Sequence, residues 1–337
     1  MKPRLKTKNT HTVTPSHGVS KIKNMLNQLK DKPIIINTDL DGIISGLVLQ
    51  QFLNCKIVGF SNSAETIWLQ KDFTNFKSVC FVDLFIANPD IICIDQHIVS
   101  VNKKHHEILK NNPNKINPNL LNPHFFLPDD SYYKKYPFGT IHFIIALLER
   151  EGYDLSTLNV FKKEGNLQAI DFILRADDTM QTTINSRYTE NAEAWWNWLE
   201  EFSKQGKTIQ KFKDYLNKTD KKIASKIKVK IADLLQDNPF NCNSSDGGIT
   251  EITEANFLKE HVKTYFKFIS ELLDISIFNL EKPYKKYSGK TQRLSLTKVF
   301  KEELVNLNTL DGEQLFSYAF VRSSKRDYSF SCTFIRK

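Results

Sequence analysis

The chain has 337 residues, of which 40% are hydrophobic and 25% charged, and its formal net charge is +9. No stretch approaches the ~20 consecutive apolar residues of a membrane span, which excludes a membrane-spanning role, and a core for about two domains of ~150 residues is expected. The excess of Lys and Arg (47) over Asp and Glu (38) favours anionic partners.

Residues 1–15 read as a basic, disordered arm; no apolar segment follows that would make a secretory signal. Ser16 to Lys30 has helical spacing through Val19, Ile22, Met25, Leu26 and Leu29. Ile34 to Asn37 is a short strand, and Ile43 to Leu53 a helix starting directly after Gly42. A strand that delivers a loop onto a helix N-terminus suits an anion, because the first N–H groups point outward. Lys56–Phe60, Ser78–Asp83 and Asp90–Asp95 are short, nearly continuous apolar runs, as expected of parallel strands buried on both faces.

Residues 112–137 are irregular and rich in Asn, Pro and Tyr. Helices are expected over Phe138–Glu151, Leu167–Arg175 and Glu190–Glu201. The last carries Trp195 and Trp198, read as core, and Trp196, read as more exposed. Ten lysines between Lys204 and Lys230 lie in a helical-looking region, either as a solvated face or as a track for phosphates. Pro239 and Gly247-Gly248 place a boundary at Asp237–Thr250. Beyond it a helix (Glu254–Leu273), β-like runs (Ile275–Leu280, Arg293–Val299) and a hairpin of Leu315–Val321 with Tyr328–Ile335 around Ser323–Asp327 are expected. Tyr284-Lys285-Lys286-Tyr287 is a basic-aromatic cluster suited to a nucleic acid. The alternation predicts an α/β fold with a parallel sheet over 16–237, its last part (about 188–237) a helical connector, and a smaller α+β domain over 251–337. Ligands of such a sheet bind at the carboxyl ends of its strands.

Cys55, Cys80, Cys93, Cys242 and Cys332 show no CxxC pair and no zinc spacing. They read as buried, reduced thiols of a cytoplasmic protein.

The chemistry-bearing pattern is acidic. Asn37-Thr38-Asp39-Leu40-Asp41-Gly42 leaves the first strand, Asp83 ends a second run, and Asp95-Gln96-His97 ends a third. Asp177-Asp178 follow the helix ending at Arg175. Each alone fits an ordinary turn or cap. Together they place carboxylates at the exits of several buried elements, where they can converge on divalent cations. Mg²⁺ and Mn²⁺ prefer oxygen donors, and Mn²⁺ also accepts a histidine. Such ions polarise phosphoryl oxygens and activate water.

Thr38-Asp39-Leu40-Asp41-Gly42 with Ile44-Ser45-Gly46, then Asp83, Asp95-Gln96-His97 and Ala176-Asp177-Asp178-Thr179, resembles the four motifs of the DHH phosphoesterase superfamily. That superfamily includes RecJ-like exonucleases, nano-RNases, cyclic dinucleotide phosphodiesterases and family II inorganic pyrophosphatases. Pro118-Asn119, Asn122-Pro123 and Tyr136-Pro137-Phe138-Gly139-Thr140 are similar to the Asn-Pro stretch and glycine-led helix of RecJ-like members. The resemblance covers about residues 32–182. It implies a parallel-sheet domain with a smaller α+β domain closing over one or two Mn²⁺ or Mg²⁺ ions.

By position it implies that Asp39 and Asp41 each hold one metal ion, that Asp83 bridges both, and that Asp177 or Asp178 completes the first site. Asp95 belongs to the same ligand set, and His97 faces the substrate phosphate. Gln96 stands where the family has its first histidine, a metal ligand, and an amide oxygen is a poorer donor. Asn37 replaces a histidine or aspartate and is a candidate for substrate contact. Arg322-Ser323-Ser324 resembles a basic element of the second domain, so Arg322, Lys325 and Arg326 are candidate phosphate contacts; the glycine-rich, histidine-containing motif that follows in the family is absent. The implied activity is hydrolysis of phosphoester bonds in nucleic acid, oligonucleotides or nucleotides. The competing expectation, which Gln96 favours, is a member that binds such ligands without turnover.

Overall fold

The computed structural model describes residues 25–63, 65–100, 102–121, 134–162, 166–177, 179–295, 309–310, 313–322 and 328–335. The expected basic arm, the first half of the Ser16–Lys30 helix, Asn122-Pro123, Asp178, Lys325 and Arg326 lie outside the described residues.

Nine strands form one sheet. They are β1 (Pro33–Asn37), β2 (Lys56–Ser61), β3 (Thr66–Gln70), β4 (Cys80–Val82), β5 (Cys93–Ile94), β6 (Lys115–Ile116), β7 (Tyr284–Ser295), β8 (Ser317–Arg322) and β9 (Tyr328–Ile335). Their order is β8-β9-β7-β3-β2-β1-β4-β5-β6. The five strands from β2 to β6 pair in parallel, with register Ile36 opposite Val82 and Val82 opposite Ile94. The other pairings are antiparallel. The α/β class with a parallel sheet at its centre is therefore observed. Cys80–Val82 and Cys93–Ile94 are shorter than the apolar runs that contain them, because turns occupy the start of each run (the Val79 N–H donates to the Phe76 carbonyl and the Ile91 N–H to that of Asn88) and the chain turns away again at Asp83 and Asp95.

Both faces of the parallel half are buried. Ile34 and Ile36 of β1 face one apolar core, and Ile35 between them faces the other, as the period of two requires. Helices cover the first face: α1 (Leu40–Leu53), α3 (Thr140–Arg150), α4 (Asn166–Arg175), α5 (Thr179–Ile184), α6 (Ser186–Phe202), α7 (Lys207–Lys218), α8 (Lys221–Gln236) and α9 (Glu260–Leu273), with α2 (Lys103–Asn111) on the other side. α1 starts three residues before the expected Ile43, because Asp39 caps it by accepting from the Gly42 N–H. It is apolar almost all round and is buried between sheet and helices. Trp195, Trp196 and Trp198 are all core; the expected exposure of Trp196 is wrong, because it stacks on Phe138 at 4.1 Å.

The second face is closed by the sheet itself. Leu315, Tyr318 and Phe320 pack against Ile35, Val58 and Phe81 in one cluster. The free edge of β8 bridges Ile86 and Ile98, in the loops that follow β4 and β5. Lys115 fastens the first of these loops from inside, its buried ammonium donating to the carbonyls of Ile86 (2.6 Å), Asn88 (2.7 Å) and Ile91 (2.8 Å).

The expected division at 237–250 marks no break in sheet or core. β7 continues the sheet from β3, and Val262, Phe266 and Ile269 of α9 belong to the same core as α1. Two other expectations are corrected. The helix expected from Glu254 begins at Glu260, after a small hairpin of Thr253–Glu254 with Phe257–Leu258. Ile275–Leu280 forms no strand; it is a loop that buries Ile275 and Leu280. No helix among the described residues is long and apolar enough to cross a membrane.

Candidate metal centre

Three parallel strands deliver the acidic residues to one place. β1 ends at Asn37, β4 at Val82 and β5 at Ile94, so Asp39, Asp83 and Asp95 all leave the carboxyl edge of the sheet. Asp83 turns with φ 59°, and Asp177, at the exit of α4, with φ 47°. These left-handed conformations are costly for most side chains and are concentrated at functional sites.

Asp83, Asp95 and His97 each offer a ligand atom, and these atoms lie within 4.8 Å of one another. Asp83 and Asp95 are buried; the His97 side chain is one-third exposed, at 33%. Asp95 accepts from the His97 backbone N–H (3.0 Å) and lies 2.7 Å from its Nδ1, which leaves Nε2 as the outward ring nitrogen. Gln96 is buried, with Nε2 3.5 Å from that nitrogen. Its Oε1 is enclosed and has no hydrogen-bond partner among the described residues. Asn117 and Asn119 hold this tripeptide from behind, donating to the carbonyls of His97 (2.8 Å) and Gln96 (2.7 Å).

Asp39 and Asp41 adjoin this group. Asn37 bridges the carboxylates, its Nδ2 donating to Asp39 (2.6 Å) and Asp83 (3.2 Å) while its Oδ1 accepts from Thr38 N–H. Asn37 is buried and fully engaged, so it organises the acids rather than meeting a substrate. Asp41 caps α3, accepting from the N–H groups of Thr140 (2.7 Å) and Ile141 (2.9 Å). Thr140 Oγ1 donates to Asp83 (2.8 Å), so one helix start fixes two carboxylates. Asp177 is close enough to His97 for its charge to favour the imidazolium. Arg322 lies in β8 opposite Tyr328.

Two N–H groups at the start of α1 are already taken. Leu40 N–H donates to the Asp246 carbonyl (2.9 Å), and the Gly42 N–H is taken by Asp39. The loop around Asp246 also meets Thr38, whose hydroxyl donates to the Ile249 carbonyl (3.0 Å).

Burial and mutual repulsion oppose ionisation of these acids. Among the described residues no Lys or Arg forms an ion pair with Asp39, Asp41 or Asp83. Burial, then the charges of Asp246 and Asp41, push the Asp39 carboxyl up to about 8. Burial, followed by Asp41, Asp39 and Asp95, holds Asp83 well above the usual carboxylate range. Asp41 is raised by burial, against the opposing pull of its N–H donors. Burial works against a charged His97, but Asp95 outweighs it and lifts the imidazole to about 9. This Asp-Asp-His group, with further carboxylates beside it, could hold a metal ion.

Gly139 allows the close approach. A Cβ there would sit 2.8 Å from both Asp41 oxygens and 2.9 Å from Ala176 Cβ. Gly139→Ala is expected to displace Asp41 and cost roughly 1–3 kcal/mol. Chemical denaturation checks the stability, and calorimetric Mn²⁺ titration should show weaker binding.

The sequence reading missed Asp246 and assigned no role to Asn119 or Thr140, although both lie in the Asn-Pro stretch and glycine-led helix it singled out. In the basic-aromatic cluster Lys286 pairs with Glu251 and Lys285 lies over Tyr287, both at exposed positions. Comparison with protein-family models, with curated proteins and with solved structures finds no match to this chain.

Proposed function

We propose that the protein is a divalent-metal-dependent phosphodiesterase of the DHH type, acting on nucleic acid, oligonucleotides or nucleotides with Mn²⁺ or Mg²⁺. The observation that carries this reading is the convergence of Asp83, Asp95 and His97 within 4.8 Å, with Asp39 and Asp41 alongside and, among the described residues, no Lys or Arg in an ion pair with Asp39, Asp41 or Asp83. Asp83, Asp95 and His97 would hold one cation, and Asp39 and Asp41 would be the donors available to a second. A bound divalent cation would supply polarisation of a phosphoryl oxygen and neutralisation of its developing charge. Asp95 orients His97 through Nδ1, so Nε2 faces outward with a proton available for a phosphate oxygen or a lone pair for a metal. Asn37 and Thr140 keep the acids in place when no cation is bound. The chain's net charge of +9 favours a polyanionic substrate.

A second reading, binding without turnover, is favoured by Gln96: where the resemblance expects a strong imidazole donor, a neutral amide is buried beside His97. Incubation of the purified protein with Mn²⁺ or Mg²⁺ and labelled oligonucleotides or cyclic dinucleotides separates the two. Cleavage that stops with chelator supports the enzyme. Tight binding with no product under any cation supports the binder, and phosphate release from pyrophosphate alone rejects diester hydrolysis.

A further inference from the structure

The lysine-rich region resolves into two helices, α7 and α8, and its lysines differ in their surroundings. On α7, Lys213 is tied to Glu200 (2.5 Å) and Asn197. On α8, Lys222, Lys226 and Lys230 are exposed, and none has a carboxylate within ion-pair distance among the described residues. They recur every four residues, so they form one ridge with a rise of ~6 Å between them. That step suits successive phosphates of an extended strand. Ala224, Ile231 and Leu235 bury the opposite side of the helix, which fixes the ridge outward.

Two features separate this ridge from an ordinary solvated face. Lys221 and Lys222 occupy the first turn, where the helix dipole disfavours cations, and the last turn carries no basic residue. The distribution therefore does not serve helix stability. Ile223 and Val229 are also exposed among the lysines, at 48% and 57%. Ser225, Lys226, Val229, Lys230 and Asp233 line a shallow groove of about 420 Å³. Cations spaced for phosphates, with aliphatic side chains between them, match a strand that presents charge on one side and sugars or bases on the other.

The opposite side of α8, not the ridge itself, is hydrogen-bonded to the elements around the metal centre. Lys228 of α8 donates to Gln181 of α5 (2.8 Å). α5 starts at Thr179, whose hydroxyl accepts from the Gly139 N–H, and the next residue, Thr140, holds Asp41 and Asp83. We infer that the exposed face of α8 is a docking track for the phosphate backbone of single-stranded nucleic acid, feeding the carboxylate centre. The track rests on the proposed phosphodiesterase reading for its destination and on its own geometry for its ligand.

The test is fluorescence anisotropy of the full chain with a labelled oligothymidylate in chelator, so that binding is read without turnover. Lys222→Glu/Lys226→Glu/Lys230→Glu is expected to weaken binding at least roughly tenfold at low salt and to reduce the salt slope by about 2, from three lost phosphate contacts. Lys56→Glu/Lys103→Glu/Lys104→Glu changes the net charge equally, at exposed positions away from α8, and is expected to weaken binding less than about threefold. An Arg triple variant at the ridge retains binding. Hydrolysis of bis(p-nitrophenyl) phosphate with Mn²⁺ reads the metal centre alone, so loss of the track and failure of the enzymatic reading give different results. Equal weakening by the two Glu triples, tighter binding of a duplex of the same length, or equal dependence of anionic-vesicle binding on the ridge overturns the inference.

Discussion

Asp83→Asn is expected to abolish high-affinity divalent-cation binding and diester hydrolysis while making the metal-free protein more stable at pH 8. Asp83 is enclosed with Asp39, Asp41 and Asp95 as neighbours, and these charges oppose its ionisation. The amide has the same shape, keeps an oxygen for Asn37 Nδ2 or Thr140 Oγ1, and removes the most crowded acid. Loss of a central anionic ligand should weaken Mn²⁺ binding by two orders of magnitude or more, about 3 kcal/mol. Relief of repulsion should raise Tm by roughly 2–4 °C, the usual direction when a strained functional group is removed. Calorimetric titration and a melting curve on the same sample check both halves. A variant that loses stability and keeps cation affinity would assign Asp83 a structural role and remove the basis of the metal centre.

The second expected result concerns pH. Metal-free protein should lose stability as pH rises from about 5 to about 8.5, and saturating Mn²⁺ should return more stability at the upper end. Asp39 titrates near 3.8 when unfolded and at about 8 when folded, so between these values the native state holds more protons than the unfolded chain. Stability contributed by this group is complete below about 3.8 and is lost as pH climbs through about 8. His97, raised from 6.5 to about 9, has the same sign over its own window. The fall should be roughly 3–6 °C in Tm for a chain of this size. A cation that binds the ionised acids returns about 4 kcal/mol at a thousandfold excess over its Kd, and far less at pH 5, where protons compete. Melting curves at the two pH values, with and without Mn²⁺, give the comparison; equal cation-induced shifts would show that these acids are not the ligands.

The parallel half of the sheet was legible because its strands carry a strong local signal. Ile34–Asn37 and Lys56–Phe60 are β-branched, apolar and bounded by polar turns, and their acidic exits follow from strand polarity. α3 and α4 were legible from their apolar periodicity. Thr66–Gln70 and residues 284–292 of β7 were not read as strands, since their polar and charged residues find cross-strand partners far away in sequence, Thr66 lying opposite Ser288. The approach of Asp246 to Asp39 was equally hidden, because a serine- and glycine-rich loop reads as a boundary until its contacts are seen. Asn37 was read as a substrate contact from its position. Its actual place, bridging Asp39 and Asp83, depends on which way a side chain turns at a strand end.

The β8 edge touches Ile86 and Ile98 at once, so one strand spans both loops that present Asp83 and Asp95-Gln96-His97. Those loops therefore cannot drift independently: a change in their separation has to peel a backbone bridge. Binding at the acids and protection of amides in Ser317–Arg322 become linked quantities, each tightening the other by the same free energy. Occupancy by an ion would then be felt in a segment that contributes no ligand to it.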